Sequence, residues 1–120
     1  TGQGASEDEK GFTAPVGKVV IKSLGISDIA QMREVGDRIK EQIKSGVVFL
    51  WAAGEDKATF MTMATTDKAK TYDAGKFMKQ AMDAVGGRGG GKALFAQGGV
   101  DVKSADTVIQ LFMKSTGVEG

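Results

Sequence analysis

The stretch VVFLWAAGEDKATFMTMA, residues 47–64, decides how this chain folds. Its first seven residues, Val47, Val48, Phe49, Leu50, Trp51, Ala52 and Ala53, are continuously apolar, the pattern of a strand covered on both faces. Gly54, Glu55 and Asp56 make a turn, and residues 58–64 then place Phe60 and Thr62 on one side and Thr59, Met61 and Met63 on the other. That alternation has the period of a strand. The two runs predict a hairpin, with residues 47–53 as the central strand of a sheet.

Upstream, Pro15 and Gly17 punctuate the entry to Val19, Val20, Ile21 and Leu24, and this β-branched run predicts a first strand over residues 18–24. Ser27 or Asp28 is a helix N-cap, followed at helical spacing by Ile29, Met32, Val35, Ile39 and Ile43, which predicts a helix over residues 28–44. Its other side, with Arg33, Glu34, Asp37, Arg38 and Glu41, reads as a solvated face. Downstream, Asp73 starts a helix over residues 74–85. Phe77, Met78, Ala81, Met82 and Val85 lie on one side of it, Lys76, Lys79 and Gln80 on the other, and Gly86 and Gly87 stop it. Ser104 offers an N-cap for a last helix over residues 104–114 carrying Val108, Ile109, Leu111 and Phe112.

These elements predict an α/β (α+β) fold, a single small domain with a mixed sheet covered by helices. A chain of 120 residues supports one such core. Residues 1–15, with an acidic run at Glu7, Asp8 and Glu9 and little to bury, read as a flexible N-terminal segment or linker, leaving residues 16–120 as the domain.

Composition narrows the chemistry. Cysteine and histidine are both absent, which removes disulfides, the usual zinc ligands, the Ser-His-Asp and Cys-His nucleophile systems and the commonest general base. No catalytic residue, metal or cofactor is expected. No apolar run approaches the ~20 residues of a membrane span, so no membrane partner is expected either. The net charge is +1, but residues 68–92 carry six basic side chains against two acidic ones. A local basic patch can hold phosphates on a protein that is neutral overall.

Half of the fourteen positions from 86 to 99 are glycine, at a cost of about 0.5–1 kcal/mol each relative to alanine in regular structure. The run lacks the serine and threonine of flexible linkers, and Leu94 and Phe95 stand between its two glycine clusters as anchors. An ordered loop is one reading. The other is an anion-binding nest of backbone amides flanked by Arg88 and Lys92. It is neither a Walker loop nor a dinucleotide fingerprint, because it lacks Gly-Lys-Ser/Thr and follows a helix.

The run VGGRGGGKALFAQGGV, residues 85–100, resembles the Gly-Gly-(Lys/Arg)-Gly-Gly-Gly-x-x-x-x-Ala-Gln-Gly-Gly signature of the C-terminal domain of alanyl-tRNA synthetases, also called the DHH-associated domain. The likeness extends through SGVVFLWAA (45–53), TTDKA (65–69) and AGKFMKQAMDAVGG (74–87), roughly the C-terminal two-thirds of the chain. Where the family commonly has Arg-Pro-Asp-Met, this chain has Lys92, Ala93, Leu94 and Phe95. Relatives in DHH phosphodiesterases carry a histidine in the glycine loop, and here there is none.

The resemblance implies a non-catalytic module that grips the outer corner of tRNA and helps dimerisation, supporting aminoacylation and editing by a parent alanine-tRNA ligase in the cytoplasm. Its implied partners are alanine-specific tRNA, the catalytic and editing domains of the parent chain, and a second copy in a homodimer. The implied contacts are Arg88 and Lys92 on phosphate or exposed bases, with Gly87, Gly89, Gly90 and Gly91 allowing close backbone approach. Lys68, Lys76 and Lys79 are further candidates, Tyr72 is a stacking candidate, and Gln97 either reads a ribose or base or satisfies the loop backbone. Two alternatives stand beside this: an oligomerisation-only module, and the accessory domain of a DHH-type phosphodiesterase.

Overall fold

In a computed structural model, which describes residues 8–14, 17–25, 28–68 and 72–117, the chain runs β1 (Asp8–Ala14), β2 (Gly17–Ser23), α1 (Ile29–Ile43), β3 (Gly46–Ala53), β4 (Lys57–Ala64), α2 (Ala74–Val85), β5 (Arg88–Lys92), β6 (Phe95–Asp101) and α3 (Ala105–Thr116). The strands form one mixed sheet in the order β1-β2-β3-β4-β6-β5. Only β2 and β3 are parallel. Parallel neighbours cannot be joined by a tight turn, and α1 makes the crossover between them.

The continuously apolar run lies where its composition requires, in β3 at the middle of the sheet with both faces covered. Val47 and Phe49 point towards α2 and α3, into a core with Phe60, Phe77, Met78 and Phe112. Val48 and Leu50 point the other way, onto Met32 and Ile39 of α1. Phe49 anchors the larger core: its ring centroid is 4.4 Å from that of Phe112, 5.6 Å from Phe60 and 6.3 Å from Phe77. Such pairs add about 0.5–1.5 kcal/mol beyond area burial.

Helix boundaries follow the capping chemistry. Asp28 accepts a hydrogen bond from the Gln31 amide at 3.2 Å and Asp73 accepts one from the Lys76 amide at 2.9 Å; Ser27 lies outside the described residues. Ser104 occupies the N-cap position of α3 but makes no capping bond through its side chain. Gly86 closes α2 in the left-handed conformation at φ 74°, which a glycine adopts without steric cost.

Two segments expected to be irregular are strands. Residues 8–14, read from composition as part of a linker, pair antiparallel with β2 along the edge of the sheet. Ladder bonds are made by backbone and need no apolar pattern. The glycine run, read as a loop, is the hairpin of β5 and β6.

What holds that hairpin is the close approach of α2. A Cβ on Gly75 would stand 2.6 Å from the Gly91 carbonyl oxygen; one on Gly89 would stand 2.7 Å from the Gly98 Cα and 3.0 Å from Met78 Cγ. Met78 and Met82 fill the space over Gly98, whose own Cβ would meet Met78 Sδ at 2.7 Å. Flexible thioethers suit such an irregular gap.

Gly75→Ala should therefore reverse the usual sign of a glycine-to-alanine change in a helix. Instead of a gain of about 1 kcal/mol, urea unfolding should show a loss of about 1–3 kcal/mol, the cost of overpacking. Gly90→Ala, whose Cβ would meet nothing within 4 Å, should stay within ~0.5 kcal/mol of the parent. Equal effects at the two positions would refute this account of the packing.

Tyr72 gives a second test. It is buried, its hydroxyl lies 2.9 Å from Thr62 Oγ1, and Thr62 in turn donates to the Val48 carbonyl at 3.0 Å. Burial pushes the phenol far above the ordinary tyrosine range. The folded state resists ionisation that the unfolded chain undergoes near pH 10, so stability is complete below that value and declines above it. In an alkaline titration, tyrosinate absorbance from this single tyrosine should rise only with unfolding. Tyr72→Phe should flatten the decline while costing about 1 kcal/mol at neutral pH.

Candidate functional site

The two faces of the β5–β6 hairpin differ. Strand alternation turns Gly89, Gly91, Ala96, Gly98 and Val100 towards α2, and turns Arg88, Gly90, Lys92, Phe95, Gln97 and Gly99 to the face on which α1 packs. Helix α1 covers β2, β3 and β4 but reaches the hairpin only at its end, where the Arg33 guanidinium lies 4.8 Å from the Phe95 ring centroid. Beyond that contact the face is bare. It forms a shallow cavity of about 400 Å³ with Gly90, Gln97 and Gly99 as floor, Ile29 and Thr59 on one side and Arg88 at one end. No carboxylate lines it.

The backbone of β5 is extended, so the nest reading fails. A nest needs successive amides turned to one side by alternating right- and left-handed residues, and among the described residues no position from 87 to 92 has a positive φ. The turn Ala93-Leu94 is closed by the pair Lys92 and Phe95. The pairs Lys92–Phe95, Gly90–Gln97 and Arg88–Gly99 therefore exchange both ladder bonds, and Gly89 and Gly91 turn their N–H groups away from β6 to the outer edge, while the Gly91 carbonyl packs against Gly75 of α2. Backbone donors are offered at the rim of the sheet and not on its face.

The structure thus groups Arg88, Gly90, Lys92 and Gln97 on one exposed surface, with Gly89 and Gly91 at its edge. Gly87 instead lies against Met82 and the Gly99 carbonyl. Gln97 makes no side-chain hydrogen bond to the hairpin backbone among the described residues, so the reading in which it satisfies a loop does not hold.

Other candidates lie elsewhere. Lys76 and Lys79 are exposed on α2, behind the opposite face; by helical phase Lys79 borders the open edge next to the row Gly75, Met78 and Met82. Lys68 belongs to the 3-10 turn Thr66–Lys68 and lies beside Gly17 at the start of β2, four strand spacings or roughly 19 Å from β5. Tyr72 is a correction. Its ring is 4% exposed and packed edge-on against Phe112 at 5.8 Å, so it cannot stack on a base. Trp51 is half-buried and stacked on Phe60 at 6.4 Å.

Three contributors were not legible beforehand. Ile29, counted with the buried stripe of α1, is 37% exposed at the cavity wall. Thr59 was only one of the three residues, with Met61 and Met63, on one side of an alternating strand, and Arg33 was assigned to the solvated face. Their roles depend on which strands α1 leaves uncovered.

A larger cavity of about 770 Å³ lies between α1 and the Thr66–Lys68 turn, lined by Asp37, Lys40, Glu41, Lys44 and Asp67 among others. Hydrogen bonds from Ser45 and Thr65 lower the pKa of Asp67. Its mixed charges show no nucleophile and base pair. Among the described residues no group of three or more metal-ligating side chains is assembled, and no helix is long and apolar enough to cross a membrane.

Comparison with known proteins places this geometry in a family. The DHHA1 domain model matches residues 17–115. Among curated relatives, the alanine–tRNA ligase of Alkaliphilus oremlandii is 40% identical over 82 residues, 68% of this chain and 9% of the ligase. The ligase of Dehalococcoides mccartyi is 37% identical over 100 residues, 82% of this chain and 11% of the ligase. The chain thus spans about a tenth of the length of these relatives. The C-Ala domain of Aquifex aeolicus alanyl-tRNA synthetase has the same fold, with a TM-score of 0.79 at 19% identity, covering 89% of this chain and 97% of that one. A pGpG-specific phosphodiesterase from Vibrio cholerae shares the fold at a TM-score of 0.60 and 16% identity, covering 93% of this chain and 36% of that one. With the family's glycine signature built into β5 and β6 and the model matched over both, the chain is a member of the DHHA1 domain family.

Proposed function

We propose that this domain is the tRNA-gripping module of an alanine–tRNA ligase, non-catalytic in itself, holding tRNA for the aminoacylation and editing domains of a parent chain in the cytoplasm. The observation that carries the reading is the bare, carboxylate-free surface of the glycine hairpin, bounded by the exposed Arg88 and Lys92. Identity of 40% over 82 residues and 37% over 100 residues to two alanine–tRNA ligases supports it.

On this reading Arg88 and Lys92 meet phosphates, the outward amides of Gly89 and Gly91 add donors at the rim, and Lys79 extends the positive border. RNA is then recognised through its shape and exposed nucleotides, since one short hairpin cannot enter the deep groove of an A-form helix. A second reading, pairing of two copies through the open edge of β5, is favoured by those same outward backbone groups, which a second strand would satisfy.

The test is binding of labelled tRNA to the purified chain across a salt series. The parent should bind with an affinity that falls steeply with salt. Arg88→Glu combined with Lys92→Glu should weaken binding at least ~10-fold and shrink the salt slope by about 1.5, two phosphate contacts' worth. Unchanged binding in that variant would remove the hairpin from the interface. Sedimentation of the RNA-free chain over a concentration series reports on the second reading, which requires a dimer; a chain that stays monomeric at every concentration removes it.

A further inference from the structure

Resting on the RNA-binding reading, we propose that the bare face of the hairpin is a seat for one unpaired nucleobase, packed between the glycine floor and Ile29 and read at its edge by Gln97. The proposal divides the surface: phosphates go to the rim, a base goes to the face.

The division follows from where the donors point. Ladder bonds lie in the plane of a sheet, so the exposed face of β5 and β6 presents no N–H group to an anion. What it presents is flat. Gly90 and Gly99 carry no side chain, and the space over Gly90 is open to 4 Å. A surface of that shape fits a planar ring, which gains contact over its whole area.

The wall and centre fit the same guest. Ile29 is one of two large hydrophobic side chains left exposed among the described residues; it borders this cavity and gives a base an apolar surface to pack on. Gln97, directly opposite Gly90 in the register, is exposed and offers both a donor and an acceptor, the combination that base edges require. Arg88 closes one end and no carboxylate opposes a nucleotide's charge. A duplex cannot present a base face sideways, so the guest is an unstacked nucleotide from a loop or bulge.

The test uses the full 120-residue chain and two RNA hairpins of the same stem and loop length, one with all loop bases and one abasic at the loop nucleotides. The intact loop should bind about tenfold more tightly than the abasic loop, with equal salt slopes, because the phosphates are unchanged. Ile29→Ser should bring that ratio towards one without altering the salt slope, and Ile29→Leu should restore it. Gln97→Ala should reduce discrimination among loop bases. A thermal melt confirms that each variant is folded. If intact and abasic loops bind equally, the base seat is wrong while the RNA grip stands; if neither is retained even at low salt, both fall.

Discussion

Helix α2 lies on strand β5 with backbone against backbone, and the sheet extends to its outer edge because Gly75 and Gly89 put no side chain into that contact. Interiors pack at crystal-like density, so a gap of this kind cannot absorb even one methyl group without movement. The opposite side of the sheet uses the same device once: Gly36 of α1 would place a Cβ 2.6 Å from Met63 Sδ. There the obstacle is a flexible side chain. On the hairpin side it is a neighbouring backbone, which cannot give way.

That constraint links stability to the exposed surface. Glycine is a poor strand former on its own, and β5 would not persist as an isolated edge. Docked under α2 it persists, and its other face is then smooth. Helix α1 runs over β2, β3 and β4 and stops short of the hairpin, its last contact there being Arg33 over Phe95. The result is one cationic, side-chain-poor surface next to an edge of free amide groups, on a protein whose total charge is +1. The glycines thus serve packing on one side of the strand and openness on the other.

The polar interior is economical. Tyr72 and Thr62 form a closed relay ending on the Val48 carbonyl, and among the described residues no buried side-chain polar atom lacks a partner. Phe60, Tyr72, Phe77 and Phe112 are committed to the core around Phe49, and the cavity on the hairpin is lined by aliphatic, hydroxyl, amide and guanidinium groups.

From the sequence alone, the two-sided apolar strand at 47–53, the hairpin that follows it and the helices begun by Asp28 and Asp73 could be read, because each rests on local periodicity and capping chemistry. The family signature pointed to the glycine run and to Arg88 and Lys92 beside it. Four results needed the tertiary structure: the glycine run is a pair of strands, residues 8–14 form an edge, Tyr72 is buried, and Ile29 is exposed. Glycine carries no side-chain pattern from which a strand can be recognised. A residue's exposure depends on which distant element covers it, and the reach of α1 across the sheet is written in no single stretch of the chain.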